Sequence, residues 1–507
     1  MQYLIGVDIG TSATKTILMD ENGGVISQAL EEYPLWQPDN GWAEQNPADW
    51  RNAVLKTLSV VVKEAGISGR EVKGIGLSGQ MHGLVMLDEH GEPIRNSIIW
   101  CDQRSSAQVD EMLKILPEEE WMEITANPPI AAWTAAKLLW VRKHEPELYK
   151  KCRHILLPKD YIRYVLTGVY ATDVSDASGM QLLDVKNRCW SGEILNKLDI
   201  APSMLGQIYE SQEVTGTLLQ EVASECGLSE SVVVVAGAAD NAAAAVGTGV
   251  VGDKEAFTTI GTSAIVYTHL DHFAGIPEGG LHVCCCAVPG CWFTMGGPQA
   301  AGLSLEWFKD NYCQDYIEEA NKENKSVYDL INEKAEEIEP GSGRLIYMPY
   351  LMGERTPHMN PKCRGAFVGL NIIHTKAHML RAVMEGITYS LADCNNILRA
   401  QGNLVTSMKA CGGGSKSPLW RQILADLYNC DIYTLKQEEG PAYGAAILAG
   451  VGSGVFESVK EACRNFIKTD SITNPVAAEV EIYRKYHALY DKFYRDMKED
   501  FNMLYDL

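Results

Sequence analysis

The sequence has little positive charge and no basic stretch. Its 44 lysines and arginines stand against 66 aspartates and glutamates, which leaves a formal net charge of −22. Such a charge repels polyphosphate backbones, and no run of lysine or arginine offsets it locally. A role in nucleic-acid binding is therefore not expected.

Targeting and membrane segments are also missing. The first eight residues, MQYLIGVD, carry no basic region and already include Asp8, which is not typical of a secretory signal. The most apolar stretch, residues 232–251, carries Asp240 and Asn241 at its middle, where a membrane helix would not place them. We therefore expect a soluble protein of the cytoplasm that has no membrane partner.

Two familiar cysteine patterns are absent as well. The fourteen cysteines include no C-x-x-C pair, the spacing on which zinc ribbons and thioredoxin-type redox centres depend. Most thiols lie inside apolar runs such as residues 283–287. The sequence therefore predicts reduced cysteines that are mostly buried.

Two common nucleotide-binding motifs are absent or incomplete. The P-loop pattern G-x-x-x-x-G-K-[S/T] does not occur. Residues 74–79 spell G-x-G-x-x-G, but this fingerprint requires a helix to begin within the glycines. Residues 80–88 instead have the pattern of a further strand and a turn. A Rossmann-type dinucleotide site is therefore not predicted.

What the sequence does contain is an internal repeat. The pentapeptide IGTSA at residues 9–13 recurs at residues 260–264, which is 260 − 9 = 251 positions later. Each copy stands between two apolar runs, and this pattern predicts a β-hairpin with a tight turn. Alternating strands and amphipathic helices follow both copies. We predict an α/β protein with two similarly built domains, residues 1–248 and 249–507, and a helical tail from about residue 475.

The two Gly-Thr-Ser turns are candidates for phosphate binding. A turn of small residues exposes backbone N–H groups and hydroxyls that can surround phosphate oxygens. Asp8 precedes the first turn and Lys15 follows it, so a carboxylate could hold Mg²⁺ beside the bound phosphates. A polar hairpin turn without a ligand is the alternative for either copy alone. The repetition favours a nucleotide in a cleft between the domains.

Two further segments place small residues at the end of a predicted strand. Asp240 follows such a strand and opens an alanine-rich helix, a position suited to a general base for a substrate hydroxyl. The same position is typical of a helix N-cap, and position alone favours the cap. Residues 412–414 are three glycines before a predicted helix at 419–428. They could let a ribose or a flat ring approach the backbone, or they could form a plain loop.

Together these features resemble the FGGY family of carbohydrate kinases, and the resemblance covers essentially the whole chain. The most specific match is GAFVGL at 365–370, followed after seven residues by HMLRAVME at 378–385, which is similar to the C-terminal signature of the family. PYLMGERTP at 349–357 and KLLW at 137–140 match as well. The resemblance implies two ribonuclease-H-like domains of the actin/sugar-kinase type with a cleft between them. It also implies phosphoryl transfer from ATP to a sugar with Mg²⁺ as cofactor.

Within the family, SGQMHG at 78–83 resembles the sugar-site loop of kinases that act on D-xylulose, and residues 156–161 and 175–179 resemble their segments too. This implies phosphorylation of D-xylulose at O5, with Asp240 as proton acceptor and Asp8 as the Mg²⁺ and phosphate carboxylate. The implied sugar-binding residues are Met81, His82, Trp100, Asp102 and Asn241. The implied nucleotide-binding residues are Gly10, Thr11, Ser12, Lys15, Gly261, Thr262, Ser263, Gly412, Gly413 and Ser417.

The sequence departs from those kinases at two positions near the sugar lobe. Cys101 stands where they carry Asn, and Ala136 precedes Lys137 where they carry Pro. A kinase of the same family for gluconate, L-ribulose, fuculose or a signalling sugar therefore stays open. A non-catalytic sugar or nucleotide sensor is a second alternative, although a sensor would need neither Asp8 nor Asp240. A homodimer is the working hypothesis for the oligomeric state.

Overall fold

The computed structural model describes residues 1–275, 280–402, 404–437 and 439–507. The elements of the first half are β1 (Tyr3–Ile9), β2 (Ala13–Asp20), β3 (Val25–Glu32), β4 (Glu44–Gln45), α1 (Pro47–Ala65), β5 (Val72–Gly79), β6 (Val85–Leu87), β7 (Ser97–Ile98), α2 (Ser106–Ile115), α3 (Glu118–Thr125), α4 (Thr134–His144), α5 (Pro146–Tyr149), β8 (His154–Leu156), α6 (Pro158–Thr167), β9 (Ala171–Asp173), α7 (Val174–Ala177), β10 (Leu183–Asp184), β11 (Cys189–Trp190), α8 (Gly192–Lys197), β12 (Gln207–Tyr209), β13 (Val214–Thr217), α9 (Gln220–Cys226), β14 (Val233–Val235), β15 (Ala238–Ala239) and α10 (Asp240–Thr248).

The elements of the second half are β16 (Ala256–Ile260), β17 (Ala264–Leu270), β18 (His282–Cys285), β19 (Trp292–Gly296), α11 (Gly302–Tyr312), α12 (Gln314–Glu323), α13 (Val327–Glu336), β20 (Ile346–Met348), β21 (Ala366–Val368), α14 (Lys376–Ala400), β22 (Ser407–Cys411), α15 (Pro418–Tyr428), β23 (Asp431–Leu435), α16 (Gly440–Gly452), α17 (Val459–Phe466), β24 (Thr469–Thr473) and α18 (Ala477–Asp506). Short 3₁₀ helices cover Ser178–Met180, Pro202–Met204 and Gly413–Lys416.

Each half is built around a mixed sheet. The first has the order β13-β14-β5-β1-β2-β3, with β15 also paired to β5, and the second has the order β18-β19-β17-β16-β22-β23-β24. In the first sheet β1 is antiparallel to β2 and parallel to β5, and in the second β16 is antiparallel to β17 and parallel to β22. The two predicted hairpins and the two-sheet α/β architecture are therefore confirmed. The domain boundary at residues 248 and 249 stays a prediction.

Helix α1 shows how local sequence defines an element. It begins after Asn46, whose side chain accepts a hydrogen bond from the amide of Ala48, and proline occupies the first helical position. It ends at Gly66, which has a φ of 64° that glycine adopts without strain. Its buried face includes Trp50, Leu58 and Val61, which pack beneath the first sheet.

The glycines of the false dinucleotide fingerprint serve helix packing. They belong to β5, which continues as a strand to Gly79, so the prediction that no helix begins there is confirmed. A Cβ atom on Gly76 would lie 1.9 Å from the carbonyl oxygen of Ala445, and one on Gly6 would lie 1.9 Å from that of Ala442. Helix α16, from the second half of the chain, therefore packs directly on β1 and β5 of the first sheet.

The C-terminal tail is the helix that the sequence predicts. Helix α18 buries one aromatic stripe against the second half, made of Tyr483, Tyr490, Tyr494 and Phe501. The cysteines also match the expectation, because all fourteen thiols are free and all but Cys101 and Cys189 are buried. In the described part of the chain, no helix combines the length and apolar character that crossing a bilayer requires.

The contact between α10 and α16 gives a stability prediction. A Cβ atom on Gly444 would lie 1.9 Å from the carbonyl oxygen of Ala243, so Gly444→Ala must push the two helices apart. We expect a loss of about 1–3 kcal/mol, despite the better helix propensity of alanine, and a thermal unfolding temperature lower by several degrees. Gly192→Ala in α8 is the matched control, because its Cβ would meet no atom within 4 Å. Equal melting temperatures for the two variants would contradict the packing argument.

Candidate active site

Asp8 lies near the carboxyl end of β1, between strands β2 and β5. Lys15 is its cross-strand neighbour on β2, and the hydroxyl of Ser78 on β5 donates a 2.9 Å hydrogen bond to Asp8 Oδ1. Burial raises the pKa of Asp8 to about 6, although the Ser78 hydrogen bond and the charge of Lys15 oppose the shift. The carboxylate is thus ionised for the most part at neutral pH, as a cation ligand must be.

Asp240 is the first residue of α10. The residue at the N-cap is Ala239, and no side chain caps this helix, so the N-cap interpretation of Asp240 is wrong. Its Oδ1 instead accepts hydrogen bonds from the Asn241 amide at 2.6 Å and the Asn241 side chain at 3.0 Å. Burial first, and then the negative charge of Asp8, raise the pKa of Asp240 to about 7. Two carboxylates with perturbed pKa values in one cleft are typical of catalytic sites.

Two of the predicted sugar-binding residues meet beside Asp240. Asn241 Nδ2 lies 3.7 Å from Met81 Sδ, so the loop after β5 contacts the start of α10. His82 adjoins this contact with a φ of 66°, and its Nδ1 lies 2.9 Å from the carbonyl oxygen of Gly179. Burial lowers the pKa of His82 well below its usual value, which keeps the ring neutral. The loop and the start of α10 thus bring together a thioether, a neutral imidazole and an amide.

His82 is held by residues that are not among the predicted sugar-binding residues. It stacks on Trp133 with ring centroids 4.6 Å apart, and Lys137 Nζ donates a 2.7 Å hydrogen bond to the His82 carbonyl oxygen. Arg355 from the second half contributes to the lowered pKa of both His82 and His282. Lys137 and Arg355 lie in segments that the family resemblance marked, but burial and contact with His82 are visible only in three dimensions.

Trp100 and Asp102 differ from the other predicted sugar-binding residues. The indole Nε1 of Trp100 donates a 2.9 Å hydrogen bond to Thr11 Oγ1, so this half-exposed ring contacts the first Gly-Thr-Ser turn. Asp102 is fully buried and ion-paired with Arg104 at 2.7 Å, and it also accepts a 2.6 Å hydrogen bond from the amide of Ala43. Both oxygens of Asp102 are occupied within the protein. These contacts within the protein are structural, and the contact of Asp102 with the sugar stays a prediction.

The two Gly-Thr-Ser turns present unpaired donors. Four backbone amides donate to no acceptor within the described ranges, namely those of Thr11, Ser12, Thr262 and Ser263. The second turn abuts the start of α11, where the amide of Gly302 donates a 2.8 Å hydrogen bond to Gly261 O. A Cβ on Gly302 would lie 2.3 Å from that oxygen, so glycine is required there. Each turn can therefore bind an anion through its backbone.

The remaining predicted nucleotide-binding residues divide into two groups. Gly412 has a φ of 82° and lies against the end of β16, where a Cβ would be 2.8 Å from Ile260 O, so Gly412 and Gly413 adjoin the second turn. Lys15 forms an ion pair with Glu439 at 2.5 Å, which links β2 to the start of α16. The hydroxyl of Ser417 accepts a hydrogen bond from the Trp420 amide and so caps α15. The contacts of Lys15 and Ser417 within the protein are thus structural, and their roles toward a nucleotide stay predictions.

A buried charge cluster underlies the start of α10, and sequence reasoning missed it. Lys159 Nζ lies 2.6 Å from Asp160, 2.8 Å from Asp173 and 3.5 Å from Asp176. Ser175 connects this cluster to the site, because its hydroxyl donates to Asp173 and accepts a 3.0 Å hydrogen bond from the amide of Ala239, next to Asp240. Lys159, Asp160, Ser175 and Asp176 lie in the resembling segments at 156–161 and 175–179, yet nothing in the sequence shows that these charged groups are buried together with Asp173.

The two mixed sheets, each with one of the repeated hairpins, match the actin-like sugar-kinase fold of the solved structures reported below. The family model for the N-terminal domain of the FGGY family of carbohydrate kinases matches residues 3–247. The family model for the C-terminal domain matches residues 256–453. The xylulose kinase of Bacillus subtilis is 39% identical over 98% of each chain, and the gluconokinase of the same organism is 29% identical over 99% of this chain and 98% of its own. A ligand-bound xylulose kinase structure from Lactobacillus acidophilus superimposes with a TM-score of 0.90 at 27% identity, covering 99% of this chain and 100% of the other.

The chain belongs to the FGGY family of carbohydrate kinases. It is therefore a sugar kinase, and its small-molecule partners are a sugar and ATP.

Proposed function

We propose that this kinase transfers the γ-phosphoryl group of ATP to the 5-hydroxyl of D-xylulose, giving D-xylulose 5-phosphate. The observation that carries the proposal is the placement of Asp240 at the start of α10, within the electrostatic reach of Asp8 and beside the contact of Met81 with Asn241. The choice of D-xylulose is supported by a xylulose kinase that is 39% identical over almost the full chain.

Asp240 is the proposed general base. In the reaction the sugar oxygen attacks the γ-phosphorus, its proton passes to the Asp240 carboxylate, and the bond from phosphorus to the bridging oxygen of ADP breaks. A pKa of about 7 fits this task, because the group is ionised for part of the time and still basic enough to hold the proton. Most of the remaining catalysis is positioning and charge neutralisation.

Asp8 is the proposed Mg²⁺ carboxylate. Mg²⁺ usually keeps several waters and binds through one or two carboxylates together with substrate phosphates. Asp8 fits this requirement, because it is partly exposed and only its Oδ1 accepts the Ser78 hydrogen bond. When bound, the cation would supply positive charge against the phosphate oxygens. The free amides of the two turns would bind those oxygens from the two halves of the chain.

The substrate is tested by an ADP-release assay over ketoses, aldoses, polyols and aldonates. We expect the highest kcat/KM on D-xylulose, at least about 100-fold above that on gluconate, since a hydroxyl that the pocket binds discriminates strongly. An Asp240→Asn preparation is the control for contaminating kinases. Preferred turnover of gluconate would contradict the substrate assignment and favour the second candidate, which rests on the 29% identical gluconokinase. If the protein binds ATP but releases no ADP with any sugar of the panel, the proposed phosphorylation of these sugars would be contradicted.

The raised pKa of Asp240 predicts an acid limb in the rate profile. The base works only when deprotonated, so kcat/KM should rise with pH, level off above about 7, and fall about tenfold per unit below that value. The measurement is kcat/KM for the sugar between about pH 5.5 and 9 at saturating Mg-ATP, with the coupling enzymes shown to be in excess at each pH. A flat profile down to the acid end would contradict the assignment of Asp240 as the base.

A further inference from the structure

A compact group of metal-ligating side chains lies outside the cleft, at the edge of the second sheet. His269 belongs to β17, and Cys286 and Cys291 flank the turn between β18 and β19. A ring nitrogen of His269 and the two Sγ atoms all lie within 4.8 Å of one another. All three side chains are buried, and the proposed phosphoryl transfer uses none of them.

Asp271 adds an oxygen to this group. Its Oδ1 lies 3.1 Å from His269 Nε2 and 3.6 Å from Cys291 Sγ. Asp271 thus contacts two of the three residues, while its oxygen lies outside the set of atoms that are all within 4.8 Å of one another. In the structure a hydrogen bond joins His269 to Asp271, and a bound cation would replace its proton.

We propose that His269, Asp271, Cys286 and Cys291 bind a Zn²⁺ ion that clamps the β18–β19 hairpin to β17. Zinc bonds of about 2.0–2.1 Å to nitrogen, 2.0–2.2 Å to oxygen and 2.3 Å to sulfur, arranged as a tetrahedron, separate N and O by about 3.4 Å and S and O by about 3.6 Å. The observed separations of 3.1 and 3.6 Å are close to these values. Those two pairs therefore need little rearrangement, and the carboxylate of the half-exposed Asp271 must move toward Cys286 to complete the tetrahedron.

The chemistry of the ligands selects the metal. Thiolate and imidazole favour zinc over the hard cations Mg²⁺ and Ca²⁺, which prefer oxygen ligands. Binding releases the protons of both thiols and of the His269–Asp271 hydrogen bond. Two thiolates and a carboxylate around Zn²⁺ leave one net negative charge. Lys460 Nζ, 3.2 Å from Asp271 Oδ1, and Arg188, which donates a 2.8 Å hydrogen bond to the Cys291 carbonyl, lie next to that charge.

The position of the site suggests what the ion would stabilise. The β18–β19 hairpin contacts the first half of the chain, because Trp292 Nε1 donates to Val185 O at 2.8 Å and the Cys285 amide donates to Ser178 Oγ at 3.0 Å. A bound ion would fix this hairpin at both ends of its turn. The ion is therefore structural, and it acts on the contact between the two halves.

Metal content of the full-length protein tests the proposal. The protein is expressed with added zinc, freed of any affinity tag, passed through gel filtration in EDTA and analysed by plasma mass spectrometry. We expect about one zinc per chain in the wild type, background in Cys291→Ala, and at least about tenfold weaker binding in Asp271→Asn. Cys285→Ala is the matched control, because this neighbouring buried thiol faces Val185 O instead, and it should retain the zinc.

A second readout does not depend on zinc analysis. Replacing zinc by Co²⁺ should give thiolate-to-cobalt charge-transfer absorption in the wild type and in Cys285→Ala, and none in Cys291→Ala. Less than about a tenth of an equivalent of zinc in the zinc-loaded wild type would overturn the proposal, as would equal zinc in Cys291→Ala and the control. A Cys286–Cys291 disulfide in peptide mapping of freshly purified protein would overturn it too. If Cys291→Ala does not fold, the partly exposed Asp271→Asn decides the question.

Discussion

Replacing Asp240 by asparagine should lower kcat about 10²- to 10⁴-fold, the range in which removal of a general base falls. Asparagine keeps the shape of the side chain and can still contact the Asn241 amide, but it cannot accept the hydroxyl proton. Because Asp240 lies at the start of α10 and not in the predicted nucleotide turns, ATP affinity should stay close to that of the wild type.

The measurement combines steady-state kinetics with a calorimetric titration of Mg-ATP. Asp110→Asn is the matched control, since this aspartate is exposed on α2 and its side chain forms no hydrogen bond or ion pair within the described ranges. Its kcat should equal that of the wild type. A kcat of Asp240→Asn within about threefold of the wild-type value would contradict the assignment of Asp240 as the general base. A parallel loss of ATP affinity would show that the site has been distorted.

The same variant should be more stable than the wild type at alkaline pH. The folded-state pKa of Asp240 is about 7, well above its usual value, so between these two values the folded protein binds more protons than the unfolded chain. Stability therefore decreases as pH rises through that window, and the charged Asp240 is a net cost above about pH 7. We expect Asp240→Asn to gain on the order of 1–2 kcal/mol at about pH 8, since partial exposure screens part of the effect, and little at about pH 4. Catalysis and stability would thus oppose each other at this position.

The parts of the fold that the sequence predicts are those with strong local patterns. The IGTSA copies lie between apolar runs whose period is that of strands, and both hairpins are present with the turns where the repeat places them. The glycines at 74–79 were correctly rejected as a helix start, because the residues after them have no helical period. Helix α18 follows from its aromatic spacing in the same way.

The parts that the sequence could not predict depend on partners far away in the chain. Asp102 looks like a site residue beside Trp100, but Ala43 and Arg104 occupy its oxygens, and the contact with Ala43 joins residues 59 positions apart. The hydroxyl of Ser417 caps α15 and donates to Asn332, two contacts that the sequence does not indicate. Position along the chain suggests that such side chains are near a site, but their hydrogen-bond partners are set by tertiary packing.

Removing the charge of Lys159 should destabilise the protein by about 3–5 kcal/mol, because a buried pair loses one partner and leaves the other uncompensated. Burial alone would lower the pKa of this ammonium group, but Asp160, Asp173 and Asp176 outweigh burial and raise it. In Lys159→Met the charge of Asp173 would keep only uncharged partners, the amide and hydroxyl of Ser175 and the hydroxyl of Ser211. The shape of the side chain is largely kept, so lost charge and not a cavity dominates the effect.

A pH series separates this charge effect from a packing defect. The deficit of Lys159→Met should shrink from about pH 8 to pH 5. Burial raises the pKa of Asp176 well above its usual value and the charge of Lys159 opposes the shift, so loss of the lysine raises this pKa further. Proton uptake by Asp176 then removes one uncompensated charge from the cluster. Lys186→Met, at an exposed lysine, should change the unfolding free energy by less than about 0.5 kcal/mol. A deficit that is independent of pH would show that Lys159 acts by filling space. Ser175 joins Asp173 to the Ala239 amide, so the charge cluster holds the start of α10 in place. If the charge explanation is right, Lys159→Met should therefore lose kcat more than ATP affinity.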